Sequence, residues 1–325
     1  MKTLRFVLWI DLGLLAITAL VAACVVTEPV IPGGAASAPP ADPARLEASV
    51  RMLAERFHPR DASHVANLDA AAAWIDAELA AAGGRVSEQT WVTDGETYRN
   101  VLARFGPESS ERVVVGAHYD VCDPLPGADD NASGVAGLLE LARMLGRAPP
   151  RTAVELVAYS LEEPPYFATP HMGSAHHAAA LAAAGVHVRA MLSLEMLGYF
   201  SDAPDSQGFP SALFGALYPS RGDFIALVGN LGQGSLTRSV KRAMRAAGTV
   251  PVESINAPQW LTGIDFSDHR SYWEQGFPAL MVTDTSFYRN PNYHEATDTP
   301  ETLDYARLAR VVSAVHSAVQ ALAAE

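Results

Sequence analysis

The chain has 325 residues, 49% of them hydrophobic and 8% aromatic, enough for one sizeable α/β core with an N-terminal extension. A formal net charge of −13 excludes the basic face that nucleic acid demands, and the acidic excess reads mainly as a solvated surface. Two cysteines, Cys24 and Cys122, are too few for a disulfide framework.

Residues 1–26 differ from the rest. Lys2 and Arg5 precede an apolar run from Phe6 to Val26, broken only by Asp11. The run has about the length that crosses a bilayer core, and its basic start also fits an export signal. Val21-Ala22-Ala23-Cys24 resembles a bacterial lipobox, in which Cys24 would carry the lipid; an uncleaved signal anchor is the other reading. Either one expects membrane attachment, with the folded domain outside the cytoplasm. Residues 27–43, rich in Pro, Gly, Ala and Ser, read as a linker to a domain spanning 44–325.

The domain alternates helices and strands. Helical spacing covers Ala44–Phe57 and His64–Ala82, stopped by Gly83-Gly84. Val86–Val92 and Tyr98–Phe105 form a hairpin around Asp94-Gly95. A buried strand ends at His118, and a helix follows over Val135–Leu145, capped by Ser133 or Asn131. Strands follow at Val154–Tyr159, Ala190–Leu194, Phe224–Val228, Pro251–Ile255 and Ala279–Val282. Helices follow at Gly173–Ala184, Ser235–Ala247 and Glu301–Ala323, the last with Thr299 as its cap. The expected fold is a single α/β domain with a central mixed, mainly parallel sheet and helices on both faces.

Ligand-type side chains gather where these strands end. His118 and Asp120 lie two residues apart at the end of one strand, and Asp130 enters the next helix. Open α/β sheets place their ligands at such ends. Glu163 follows the strand to Tyr159, Glu195 follows Leu194, and His294 lies beyond the strand to Val282. A carboxylate-rich set with two imidazoles suits two zinc ions sharing a bridging carboxylate.

Other residues invite rival readings. Ser267-Asp268-His269 lacks a nucleophile elbow, so it reads as a helix start near the site and not as a hydrolase triad. His176 and His177 fall in a helical pattern, and His171 lies just before it. None of the three is expected to bind a metal. Cys122 reads as a small packed hydrophobe.

Five segments in order carry a family resemblance. They are His118-Tyr119-Asp120, Gly127-Ala128-Asp129-Asp130-Asn131-Ala132-Ser133-Gly134, Glu162-Glu163, Leu194-Glu195-Met196-Leu197-Gly198, and Tyr293-His294 with Asp298-Thr299. Together they resemble the M28 zinc aminopeptidases over roughly residues 50–325, with a zinc-exopeptidase-like fold. The resemblance implies His118 and Glu195 on one zinc, Glu163 and His294 on the other, and Asp130 bridging both. It implies Glu162 as the general base and Asp120 as the partner that orients His118. Tyr288 or Tyr293 would help stabilise the oxyanion. The implied substrates are peptide or protein N-termini. Two departures stand out: Glu195 replaces a usual Asp, and Pro164-Pro165-Tyr166-Phe167 replaces a Gly-Leu-rich turn. Glutaminyl cyclases resemble the same fold and ligand set, with typically one zinc and acyl transfer instead of hydrolysis. A non-catalytic binding domain is the third reading.

Overall fold

The computed structural model describes residues 17–31 and 38–324. Most of the expected N-terminal anchor, residues 1–16, lies outside the described residues, as does the middle of the linker, 32–37. Helix α1 covers 17–27, and among the described residues no helix is long and apolar enough to cross a membrane. The described parts of the expected linker touch the rest of the fold. Buried Glu28 pairs with Arg238 at 2.6 Å. The Thr27 carbonyl accepts from Lys241 Nζ at 2.9 Å and from Ser254 Oγ at 2.7 Å. Further on, the Ala41 and Asp42 backbone N–H groups donate to Ser313 and Glu140.

Helix α2 (Pro43–Arg51) starts where Asp42 accepts from the Ala44 and Arg45 backbones, with Pro43 in the first turn, and it continues as a wider turn to Arg56. Helix α3 is Val65–Ala81. Strands β1 (Arg85–Thr93) and β2 (Glu96–Phe105) pair antiparallel in the register Thr93↔Glu96. Asp94 and Gly95 both take positive φ, as a two-residue hairpin turn needs.

The remaining elements are β3 (Glu111–His118), α4 (Gly134–Arg147), β4 (Ala153–Tyr159), α5 (Gly173–Ala183), β5 (His187–Glu195), β6 (Ile225–Gly229), α6 (Gly234–Ala247), β7 (Val252–Asn256), α7 (His269–Glu274), β8 (Ala279–Thr283) and α8 (Tyr305–Ala324). One eight-stranded sheet runs β1-β2-β4-β3-β5-β8-β6-β7. Its central block β4-β3-β5-β8 is parallel, while β1, β2 and β6 introduce antiparallel pairings. Val113 and Val115 of β3 enter the large core with α4 and α8. Val114 enters a separate core with Ala178 and Leu181 of α5 and Tyr272 of α7. Side-chain alternation along β3 thus feeds both helical layers, which is why its run of valines is continuous.

Two expectations need correction, and the structure chooses between the two caps expected for α4. The last helix begins at Tyr305, because Leu303 is extended and the Asp304 N–H is tied to the Gly198 carbonyl; Asp304 Oδ1 caps the helix by accepting from Arg307 N. Thr299 makes no side-chain cap bond. At α4 the cap is Asn131, whose Oδ1 accepts from Gly134 N, while Ser133 Oγ donates to the Asp129 carbonyl. A Cβ on Gly134 would sit 2.3 Å from that Asn131 oxygen, so only glycine fits there.

Candidate metal centre

The carboxyl ends of parallel strands β3, β4, β5 and β8 open on one side of the sheet, and each delivers its loop there. β3 ends on His118 itself. The chain then turns through Gly127, with φ +56, into the loop of Asp129 and Asp130. β4 leads through Leu161, with φ +62, to Glu162 and Glu163. β5 ends on Glu195, and Met196 follows with φ +50; His294 has φ +55. A left-handed backbone costs a non-glycine residue about 1–2 kcal/mol, so three such residues in contact with or beside ligand positions mark a site held by its surroundings.

These loops bring the five ligand-type residues together. His118 Nε2 lies 3.4 Å from Asp130 Oδ1 and 3.4 Å from Glu195 Oε2. His294 Nε2 lies 3.1 Å from Asp130 Oδ2 and 3.3 Å from Glu163 Oε1. Asp130 therefore gives one oxygen to each of two triads. Four ligands at about 2.0–2.1 Å around a tetrahedral ion stand about 3.3 Å apart, which matches these edges. Asp130 Oδ1, Glu163 Oε1 and His294 Nε2 are buried without a hydrogen-bond partner among the described residues. Orphaned buried donors and acceptors of these kinds fit metal coordination.

The electrostatics agree. Burial first, then the neighbouring carboxylates Glu163 and Glu195, lift Glu162 well above the ordinary carboxylate range against the pull of His118. Glu163 rises to about 8 through burial and Asp130. Asp130 falls despite its burial, because both histidines bond to it. His294, though burial works against it, rises to about 10 on Asp130 and Glu163. The crowd of acids is short of positive charge, and bound cations would supply it.

Asp120 acts on both sides of the site. Its carboxylate accepts from the backbone N–H of Glu162 at 3.2 Å and of Glu163 at 3.1 Å. Its carbonyl lies 3.2 Å from His118 Nδ1, and its Oδ1 lies 3.5 Å from the same atom. Glu162 Oε2 stands 3.9 Å from His118 Nε2, farther than the 3.1–3.4 Å edges of the two triads, though its carboxylate lies within 4.8 Å of ligand atoms of both His118 and Glu163. Around them, Asp298 accepts from the Asp129 and Asp130 backbones, and Asn131 Oδ1 accepts from Met196 N.

Several supporting residues escape a reading of the sequence. Fully buried Arg60 donates to the carbonyls of Leu53, Tyr119, Pro126 and Gly127, fixing a cation behind the acids. Burial lowers it to about 10, with Asp298 and Asp130 opposing, so it stays charged at neutral pH. No local pattern marks it. Ser267 Oγ donates to Glu195 Oε2 at 2.7 Å, and His269 Nε2 instead meets the Ile264 carbonyl, so the Ser267-Asp268-His269 trio is no catalytic triad. His171 meets Thr93, His176 stacks on Trp91 and His177 meets Tyr272, all away from the two triads. Cys122 is only partly buried, not fully packed as a hydrophobe, and lies beside Glu163 and His294. Burial, then Glu163, pushes its thiol up to about 12.

An α/β sheet with two donor triads sharing one carboxylate at its strand ends defines a metallopeptidase of the zinc-exopeptidase type. A family model described as peptidase family M28 matches residues 100–319, and the chain belongs to that family. It is 46% identical over 283 residues to the uncharacterized protein YfbL of Escherichia coli, covering 85% of this chain and 87% of that one. It is 30% identical over 220 residues to a probable leucine aminopeptidase of Trichophyton verrucosum, covering 63% of this chain. There it spans only 52% of the relative's length. Among solved structures, a zinc aminopeptidase from Bacillus subtilis superposes with a TM-score of 0.68 at 16% identity, covering 86% of this chain and 94% of that one. A glutaminyl cyclase from Bacteroides thetaiotaomicron reaches 0.67 at 19% identity, covering 87% and 99%. At such identities these two likenesses speak for the fold alone.

Proposed function

We infer that the protein is an aminopeptidase that hydrolyses the peptide bond after a large apolar N-terminal residue, using a pair of zinc ions and Glu162 as general base. The observation that carries this reading is the division of the two Asp130 oxygens between the two triads, with Glu162 beside them but outside both. Bound zinc would polarise the scissile carbonyl and bring the pKa of a water toward neutrality.

The chain's own groups supply the rest. Glu162 accepts the proton of the attacking water and passes it to the leaving amine. Asp120, by holding the Glu162 and Glu163 N–H groups, fixes where those carboxylates point. Tyr293 stacks on the His294 ring at 3.8 Å and lines the same cavity, which suits it to the oxyanion. Tyr288 is less suited, since its hydroxyl donates to the Thr262 carbonyl. The surrounding acids receive a free α-ammonium.

Beside these groups a cavity of about 340 Å³ is walled by Phe209, Phe214, Phe224, Phe266, Phe287 and Met281. Burying a whole Leu or Phe side chain there is worth about 1.5–3 kcal/mol over leaving it in water, which favours such residues over Ala. The test is a panel of aminoacyl chromogenic substrates, run with chelator and again with zinc restored. Chelator-sensitive, zinc-restored hydrolysis that favours Leu or Phe over Ala is expected. A chain that holds zinc and cleaves none of them would overturn the reading.

The likeness to a glutaminyl cyclase supports a second reading. Two complete triads favour hydrolysis, because a cyclase typically holds one zinc. Counting bound ions, and assaying ring closure on N-terminal glutaminyl peptides, separates the two. The full donor set also counts against a non-catalytic binding domain.

Membrane attachment through the N terminus belongs to this proposal too. Cys24 is exposed on α1, four residues before the docked Glu28, so a lipid there would be accessible. Detergent partitioning of the full chain against Cys24→Ala tests it; equal partitioning would remove the lipid.

A further inference from the structure

One donor near the metal centre has no part in the assignment above. Cys122 lies in the loop between His118 and Asp130. Its Sγ, a Glu163 carboxylate oxygen and a His294 ring nitrogen all lie within 4.8 Å of one another. The cysteine does not stand alone. The Glu163 side chain is only 5% exposed, and its Oε1 has no hydrogen-bond partner among the described residues. That orphaned oxygen lies 3.3 Å from His294 Nε2, so the two residues that the thiol approaches already meet each other.

We propose that Cys122 is a fourth protein donor to the cation held by Asp130, Glu163 and His294. The inference rests on the two-metal reading and adds to it. On binding, the S–H bond breaks, the proton leaves to solvent and a sulfur–metal bond forms, with no change of oxidation state. A carboxylate-rich position of Asp130, Glu163 and His294 alone would accept manganese as readily as its geometry allows. A thiolate makes it prefer zinc, cadmium or cobalt over manganese and magnesium. Four protein donors also close that position, since structural zinc sites use four and catalytic ones keep one open. The open position then falls to the cation on His118, Asp130 and Glu195, which is the one beside Glu162. The two halves of the centre would thus divide the work, one anchoring and one presenting the reacting water to Glu162.

The experiment uses the full chain carrying Cys24→Ser, so that Cys122 is its only thiol. Cobalt is titrated in and the near-ultraviolet thiolate-to-cobalt charge-transfer band recorded. The expected result is a band that grows with one of two ions and is absent from a chain that also carries Cys122→Ala. Zinc titration against a chelator should show that chain losing at least about tenfold in affinity for one ion, with the other unchanged. A melting curve checks that it remains folded. Independently of any change at Cys122, zinc should protect its thiol from alkylation by iodoacetamide. Two bound cobalt ions without the band, together with an alkylation rate that zinc leaves unchanged, would overturn the proposal while leaving the two-metal reading intact. A chain that binds no cobalt would overturn both, so the two failures are distinguishable.

Discussion

Ser267 Oγ donates to Glu195 Oε2 at 2.7 Å, in a pocket where both side chains are buried. The longer acid at this position thus has a fixed donor behind it, which leaves its other bonding direction for a cation facing His118. Ser267→Ala removes that donor from a buried carboxylate. The expected outcome is a loss of about 10–100-fold in affinity for one cation with the melting curve little changed. Chelator competition checks it, and equal affinities would show that Glu195 is placed by its backbone alone.

Glu162→Gln keeps size and burial but cannot take a proton. Cation content should stay at the wild-type level while kcat falls about 10²–10⁴-fold. Metal analysis and kinetics on the same preparation check both halves. Full turnover would remove Glu162 from the role of base.

Asp130→Ala deletes the one residue common to both triads. Both cations should be lost together, whereas Glu163→Ala should weaken one far more than the other. Stoichiometry by metal analysis distinguishes the outcomes. Retention of one full equivalent by Asp130→Ala would mean that the two positions are independent.

A fourth expectation concerns stability far from the site. Glu155 in β4 is fully buried between Arg104, at 2.7 Å, and Arg112, at 3.1 Å. Burial alone would raise its pKa, but His177, Arg104 and Arg112 overcome this and hold it at about 2, against an ordinary 4.5. A depressed folded-state value means that the stabilisation is complete above pH 4.5 and fades as pH falls toward 2. The difference amounts to about 3 kcal/mol. Glu155→Gln should therefore lower stability near neutrality and flatten the acid limb of the unfolding curve. Chemical denaturation between pH 2 and 7 measures it; parallel curves for the two proteins would refute it.

The alternation of strands and helices was readable because a buried parallel strand announces itself as a run such as Arg112-Val113-Val114-Val115, and its helix as an apolar period of 3.6. The hairpin at Asp94-Gly95 was readable because only a few residue types tolerate two positive φ values. Less visible were elements set by long-range contacts. Thr299-Pro300 carries a good local start for a helix, yet α8 waits until Tyr305 because the Asp304 backbone is drawn to Gly198. The short α7 has too few residues for a periodic signal, and only Asp268 hinted at it.

In the centre itself, the ordered motifs marked His118, Asp130, Glu162, Glu163, Glu195 and His294, and the loops do bring all six together. The order of motifs could do this because each strand of a parallel sheet delivers its loop to the same edge. Ser267, Arg60 and Cys122 had no such signal. Ser267 belongs to a trio that reads as a helix start, Arg60 carries no pattern and Cys122 reads as a packed hydrophobe, and each acquires its role from residues distant in the chain.

The sequence by itself thus determined the family, the sheet with its two helical layers, and which side chains are ligand-type, because periodicity, turn chemistry and motif order are local properties. The resemblance implied a bridging Asp130, but only the tertiary structure decided the distances that divide its two oxygens between two triads, the clamp of Asp120 on the backbone of the Glu pair, and the place of Cys122 beside Glu163 and His294. Those relations are distances between loops that meet only when the central strands pair in register. No local pattern contains a register shared by strands tens of residues apart.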